Sequence, residues 1–177
     1  ENDYANDGVL ADGILISKSI TINGNGYTID AQHKSRIFNV TANNVVLNDI
    51  KFINGNVTSG GAIHNIGNNL NVTNCVFEKN SAVYGGAIFS EGDNVTIWNS
   101  TFINNAADWG GANYFKKKIS HLIIAGDFIN NVAQISGGAN YFNDKVANVS
   151  ISGDFSDNVA ANGSGAANYF FKSVTDV

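Results

Sequence analysis

Phe77-Glu78-Lys79-Asn80-Ser81-Ala82-Val83-Tyr84-Gly85-Gly86-Ala87-Ile88 is the stretch that decides the fold, because it returns along the chain. It recurs as Phe102-Ile103-Asn104-Asn105 followed by Gly110-Gly111-Ala112-Asn113, and as Phe128-Ile129-Asn130-Asn131 followed by Gly137-Gly138-Ala139-Asn140. A worn copy keeps Phe155, Asn158 and Gly165-Ala166-Ala167-Asn168; an early one has Phe52 and Gly60-Gly61-Ala62-Ile63, with Gly55 where the Asn stands elsewhere. The steps from Phe to Phe are 25, 25, 26 and 27 residues. A nearly fixed step of this length is the signature of a repeat architecture, in which each copy is one structural unit stacked on the next.

Composition narrows the unit to strands. The 177 residues contain no Pro, no Met and 19 Gly. Asn is abundant, while Glu and Lys, the usual surface helix formers, are scarce. Such a chain favours short strands separated by turns. The formal charge of -5 and the scattered basic residues argue against a nucleic-acid partner, which needs clustered Lys and Arg. Lys116-Lys117-Lys118, the one basic run, reads as a solvated turn. Cys75 is alone, so no disulfide framework exists, and its place opposite Ile50 of the preceding copy marks it as a small packed thiol. No apolar run approaches the ~20 residues of a helical membrane span. The chain opens at Glu1 without Met, which reads as a piece of a longer precursor.

Residues 1–18 form a lead-in or cap segment that carries Val9, Leu10, Ile14, Leu15 and Ile16. Residues 19–177 divide into about six circuits, 19–44, 45–68, 69–93, 94–120, 121–147 and 148–177. In the first, Ser19–Asn23, Tyr27–Asp30 and Arg36–Val40 are strand-like, with a turn at Asn23-Gly24-Asn25-Gly26. Aligned down the later circuits, Val45, Leu70, Val95, Leu122 and Val149 form one apolar column, and Leu47, Val72, Ile97, Ile124 and Ile151 a second. Strand residues two apart share a face, so both columns point inward with the Phe column 52, 77, 102, 128 and 155. In the repeated motif the Phe fills the core, and the Asn closes a turn through its tolerance of left-handed φ, bonding from rung to rung. The Gly pair admits special backbone geometry, and the Ala leaves room. Equivalent strands on successive circuits then lie parallel, ~4.8 Å apart. The expected fold is all-β, a right-handed parallel β-helix, the hand following that of parallel crossovers in general.

The alternation of Phe-x-x-Asn with Gly-Gly-Ala-[Ile/Leu/Val] resembles the repeats of chlamydial polymorphic outer membrane proteins, which also occur in the adhesin-like surface proteins of methanogenic archaea. The run Ile16-Ser17-Lys18-Ser19-Ile20-Thr21-Ile22-Asn23-Gly24-Asn25-Gly26-Tyr27-Thr28-Ile29-Asp30-Ala31 is similar to the opening of the β-helix in the archaeal proteins. The resemblance spans about residues 16–171. It implies a β-helix on a secreted or wall-attached protein that mediates adhesion, with no catalytic set to carry over. Three copies depart from the pattern, with Asn113-Tyr114-Phe115, Asn140-Tyr141-Phe142 and Asn168-Tyr169-Phe170 after the small residues. Seven Asn-x-Ser/Thr sequons, at Asn39, Asn56, Asn71, Asn94, Asn99, Asn148 and Asn162, agree with an extracellular place and also arise by chance in so Asn- and Thr-rich a chain.

Binding candidates are the aromatic residues that vary around the motif. Tyr84 and Trp109 share the slot before Gly-Gly on neighbouring circuits, ~5 Å apart, and Trp98 ends a strand. Flat rings on a rod's face stack on sugars or on a partner's side chains, or else on each other. Alternation leaves open whether Asn and Phe or Tyr of the Asn-Tyr-Phe columns face inward. Asp127 and Asp154 align on adjacent rungs, at the separation of a retaining glycosidase pair or a cation site, yet each sits in a Gly-Asp-Phe turn where Asp ordinarily accepts backbone N–H groups. His33, His64 and His121 share no column, so no metal site is expected. No basic residue accompanies an acidic cluster. The reading is a non-enzymatic extracellular adhesin module without cofactors that contacts a surface protein or glycan of another cell. The alternatives are a carbohydrate-active β-helix enzyme or a structural spacer. The last rung, ending at Lys172–Val177, is expected to expose an edge that pairs with a second copy.

Overall fold

A computed structural model describes residues 12–176. These fold without a helix into a parallel β-solenoid of about six turns. The first wall stacks seven three-residue strands in parallel: Ile14–Ile16, Phe38–Val40, Ile63–Asn65, Ile88–Ser90, Asn113–Phe115, Asn140–Phe142 and Asn168–Phe170. The second wall has two halves meeting at a corner; Val95–Ile103 and Leu122–Ile129 run through the corner without a break, whereas the turns before them use two short strands, such as Asn71–Thr73 and Val76–Glu78. The third wall is narrower, with Ala106–Trp109, Val132–Ser136 and Val159–Ala160, and is prolonged by single bridges Ser59 to Tyr84 and Tyr84 to Trp109. Among the described residues sheet pairing starts at Ile14, inside the segment read as a lead-in; Val9 and Leu10 of that segment lie outside the described residues.

Register follows the sequence columns. Val95 pairs with Leu122 and Leu122 with Val149, while Ile97 pairs with Ile124 and Ile124 with Ile151. Both columns face the interior, where all but Ile151 are buried. The Phe column is a continuous stack: ring centroids from Phe52 to Phe77, Phe102, Phe128 and Phe155 are 4.8, 4.7, 4.7 and 4.8 Å apart, the rings within 12° of parallel. Burying such a ring contributes about 1.5–3 kcal/mol, and ring–ring contact about 0.5–1.5 kcal/mol more. The repeat therefore places the largest core contribution at the same point of each turn.

The motif Asn is fully buried at 80, 105 and 131, and its amide is bonded in both directions. Asn105 Nδ2 donates to Phe77 O at 3.0 Å and to Asn131 Oδ1 at 2.9 Å, while Asn105 Oδ1 accepts from the backbone N of Asn80 at 3.0 Å and from its Nδ2 at 3.1 Å. The pattern repeats from Asn80 to Asn158, and at the first rung Gly55 offers only its N–H to Asn80 Oδ1. One part of the sequence reading is corrected here. The left-handed residue is not the motif Asn but the one before it: Asn54, Lys79, Asn104, Asn130 and Asp157 have φ between 55° and 58°. The chain turns one residue early, and this aims the following Asn into the core.

Gly85 has φ 62°, and a Cβ on Gly86 would stand 2.2 Å from the carbonyl oxygen of Gly111 on the next rung. The pair is thus required twice, by backbone conformation and by the close approach of rungs. Just after it, the first wall settles the Asn-Tyr-Phe alternation. Asn113, Asn140, Phe115 and Phe142 are fully buried inside, and the Tyr residues face out. Earlier rungs carry Ile63 and Ile88 opposite Asn113, and Asn65 and Ser90 opposite Phe115. Bulk has moved two residues along the strand, so total volume is kept and the wall stays in register. The inward Asn residues form a second ladder, Asn113 Nδ2 to Asn140 Oδ1 at 2.9 Å and Asn140 Nδ2 to Asn168 Oδ1 at 2.8 Å.

Candidate functional site

The outer face of the first wall carries the column His64, Phe89, Tyr114, Tyr141 and Tyr169. Phe89 to Tyr114, Tyr114 to Tyr141 and Tyr141 to Tyr169 are stacked at 5.4, 5.0 and 5.1 Å, and His64 meets Phe89 edge-on at 5.0 Å. Beside it, across the Gly pair, Tyr84 and Trp109 stack at 5.1 Å with their planes 12° apart. The two columns interlock: Tyr84 lies edge-to-face against Tyr114 at 5.2 Å and against Phe89 at 6.4 Å. The structure thus brings Tyr84 and Trp109 together and adds Phe89, Tyr114, Tyr141 and Tyr169. The outward set of this column was not readable from alternation alone, because either parity of Asn-Tyr-Phe offers rings to both sides.

The band is a packed layer with a half-exposed rim. Tyr114 and Tyr141 are 7% and 6% exposed, whereas Tyr84, Trp109 and Tyr169 are half-buried. Burial, reinforced by the neighbouring Tyr141 and Tyr84, pushes the Tyr114 hydroxyl up to about 12, so it stays a neutral donor. One end of the band is charged. Glu91 receives Lys116 Nζ at 3.3 Å and Lys117 Nζ at 2.9 Å, and His64 Nε2 lies 3.7 Å away. Partial burial raises the Glu91 carboxyl, but the two lysines outweigh it and hold it below the ordinary carboxylate value. Lys116 also lies 5.6 Å from the Phe89 ring centre. The basic run is therefore tied to the wall on two of its three residues.

Trp98 stands apart from the band, on the second wall, and is 55% exposed. It lines a hollow with Asn99, Ser100, Thr101, Ala125, Gly126, Asp127, Ser152 and Gly153. Asp127 and Asp154 do align, and Asp127 Oδ1 accepts the backbone N–H of Asp154 on the next rung at 3.3 Å. Among the described residues no three His, Cys, Asp or Glu side chains are grouped to hold a metal ion. Cys75 is buried, and desolvation pushes its thiol up to about 11, far from a thiolate at neutral pH. Of the sequon residues, Asn94, Asn99 and Asn148 already donate through Nδ2, to Asn69 Oδ1, Asn74 Oδ1 and Ser120 O. Asn56 and Asn162 are exposed and Nδ2 of each donates to no described residue, while Asn39 and Asn71 are half-buried.

A rod of parallel rungs with aromatic rows on its outer wall defines a β-solenoid repeat protein. Residues 74–91 match the model of the Chlamydia polymorphic membrane protein (Chlamydia_PMP) repeat. That segment holds the Phe77 and Asn80 rung, the slot residue Tyr84 and the Gly85-Gly86-Ala87 turn, so the chain carries a repeat of the polymorphic membrane protein type. No curated protein and no solved structure matches the chain.

Proposed function

We propose that this chain is a non-enzymatic attachment module of an extracellular, cell-surface or wall-attached protein, akin to the adhesin-like surface proteins of methanogens, that presents a rigid face to a protein or glycan of another cell. The observation that carries this reading is the aromatic band. Six stacked or interlocked rings on the outer wall, with Tyr84 and Trp109 on the rim, form an organised surface that the core does not require. Aromatic rims of this kind supply large contact area at small entropic loss, and they dominate binding energy where they are found. The polymorphic membrane protein-type repeat at 74–91 supports a surface location. The last rung, Asn168–Phe170, pairs on one side only among the described residues and offers its other edge to a second copy.

Beads carrying the purified chain, exposed to a panel of microbial and animal cells, should adhere to some of them well above beads carrying a blank carrier. Equal retention of the two across the panel counts against attachment and leaves the spacer reading. Release of reducing sugar from cell-wall polysaccharide by the purified chain would turn the assignment towards an enzyme.

A further inference from the structure

Trp98 occupies a column whose other members are Asn23, Asn48, Thr73, Ala125 and Ser152, so a single large ring stands among small side chains. Next to it the chain changes length. Pairing between Val95–Ile103 and Leu122–Ile129 matches Trp98 with Ala125 and Ser100 with Gly126, which leaves Asn99 without a counterpart on the next rung. Beside the absent residue lies a hollow of about 240 Å³ whose lining includes Asn99, Ala125, Gly126, Asp127, Ser152 and Gly153. That is just below the roughly 300–1,000 Å³ of sites for drug-sized ligands.

The hollow also interrupts a polar ladder. On earlier rungs Asn48 Nδ2 donates to Asn23 Oδ1 at 3.2 Å, Asn74 Nδ2 to Asn48 Oδ1 at 2.9 Å and Asn99 Nδ2 to Asn74 Oδ1 at 2.8 Å. Each Oδ1 in this corner ladder is met by the amide of the following rung until Asn99, whose Oδ1 accepts from no described residue. The ladder thus ends in an acceptor at the place where a rung's side chain is missing. Asp127 adds carboxylate oxygens, and no basic residue lines the hollow.

We propose that this hollow is a subsite for one neutral pyranose residue of a glycan. The C–H face of the sugar lies on the exposed indole of Trp98, and its hydroxyls donate to Asn99 Oδ1 and to the Asp127 carboxylate, replacing the missing rung. A lining with a carboxylate and no cation selects against uronic acids, sialic acids and phosphates. The inference rests on the attachment reading and adds to the aromatic band a second contact on another wall, for one class of ligand.

The test is titration of ¹⁵N-labelled protein with cellotetraose, mannotetraose and N-acetylchitotetraose, with trigalacturonate as the anionic comparison. The indole N–H signals of Trp98 and Trp109 are followed, assigned through Trp98→Phe. At least one neutral tetrasaccharide should shift the Trp98 signal saturably and leave that of Trp109 in place, and trigalacturonate should shift neither. Trp98→Thr, which installs the residue used one rung earlier, should weaken binding by roughly tenfold. Asn99→Gly, which keeps the left-handed backbone of Asn99 (φ 47°) but removes the acceptor, should weaken it by roughly fivefold. The subsite is overturned if no neutral tetrasaccharide shifts Trp98, if Trp98→Thr binds as tightly as the parent, or if trigalacturonate binds better. Beads that adhere while Trp98 stays silent remove the subsite and leave attachment standing; beads that fail to adhere while Trp98 titrates do the reverse.

Discussion

Asn105 shows how one residue type performs two tasks that sequence alone does not separate. Phe-x-x-Asn was legible as a core residue followed by a turn, but Asn favours left-handed φ, backbone bonding and stacked ladders alike. Which Asn does which depends on the rung above, about one circuit away in sequence. In Asn104-Asn105 the first takes the left-handed turn and the second is buried with every polar atom engaged. Asn105→Ala strips partners from the Asn80 N–H and Phe77 O and one of two from Asn80 Nδ2, which keeps Phe52 O, and at about 1–3 kcal/mol for each buried group left unpaired the loss should reach about 2 kcal/mol or more. Urea unfolding reads it directly, and a change below ~1 kcal/mol would show that the ladder contributes little. His64 is the second informative residue. Burial first, then Arg36, lowers its pKa below the ordinary 6.5, against the pull of Glu91, while Lys116 adds a small further lowering. A lowered folded value favours the fold while the imidazole is neutral. The contribution is therefore present above the unfolded pKa and lost as pH falls through the folded one. Melting temperature should drop on going from neutral pH to below 6.5, and drop again under the ordinary carboxylate range as Glu91, whose pKa is also lowered, protonates. His64→Phe, which continues the ring column, should flatten the first step and leave the second; an unchanged first step assigns it to another group.

The strand and its Gly corner are where the sequence was most and least readable. The inward columns at 95, 97, 122 and 124 follow from alternation, because strand parity is a local property. The Asn-Tyr-Phe parity is not local, since an inward Asn is acceptable only where a neighbouring rung supplies a polar partner, as Asn140 does for Asn113 and Ser90 for Asn65. The clustering of Tyr84 with Tyr114 was hidden for a related reason: the third wall and the first meet across Gly85-Gly86, and the angle of that corner is set by packing rather than by sequence spacing. The Gly pair gives a prediction at this scale. Gly86→Ala places a Cβ 2.2 Å from Gly111 O and 2.7 Å from Ala106 O, both backbone atoms of the next rung. Rungs must part there, and destabilisation of about 1–3 kcal/mol or more is expected, seen as early hydrogen exchange at the amides of Gly85 and Ala87, which donate across that gap to Trp109 O and Ala112 O. Full protection of those amides in the variant would mean that the corner tolerates more bulk than its geometry indicates.

At the scale of the whole rod, inside and outside do different work. The repeated Phe, Asn, Gly and Ala face inward or turn the chain, so the most regular residues are the scaffold, and the fold was legible because they recur at one phase. Variation reaches the interior too, where Asn113 stands opposite Ile88 and Phe115 opposite Ser90, but the aromatic variation of the slot and its neighbouring column faces out, and it was legible only as a list of residues whose mutual packing no column alignment reports. The slot before Gly-Gly holds Ser59, Tyr84, Trp109, Ser136 and Ser164, and its two aromatic members share the band rim. The central claim is that attachment resides in this outward variation, and Tyr84→Ser with Trp109→Ser tests it most directly because Ser is already accepted in that slot. Adhesion of beads carrying the double variant should fall by roughly thirtyfold, as loss of aromatic anchors worth ~2 kcal/mol or more requires, while a single cooperative melt shows the solenoid intact. A folded double variant that adheres as well as the parent would contradict the account.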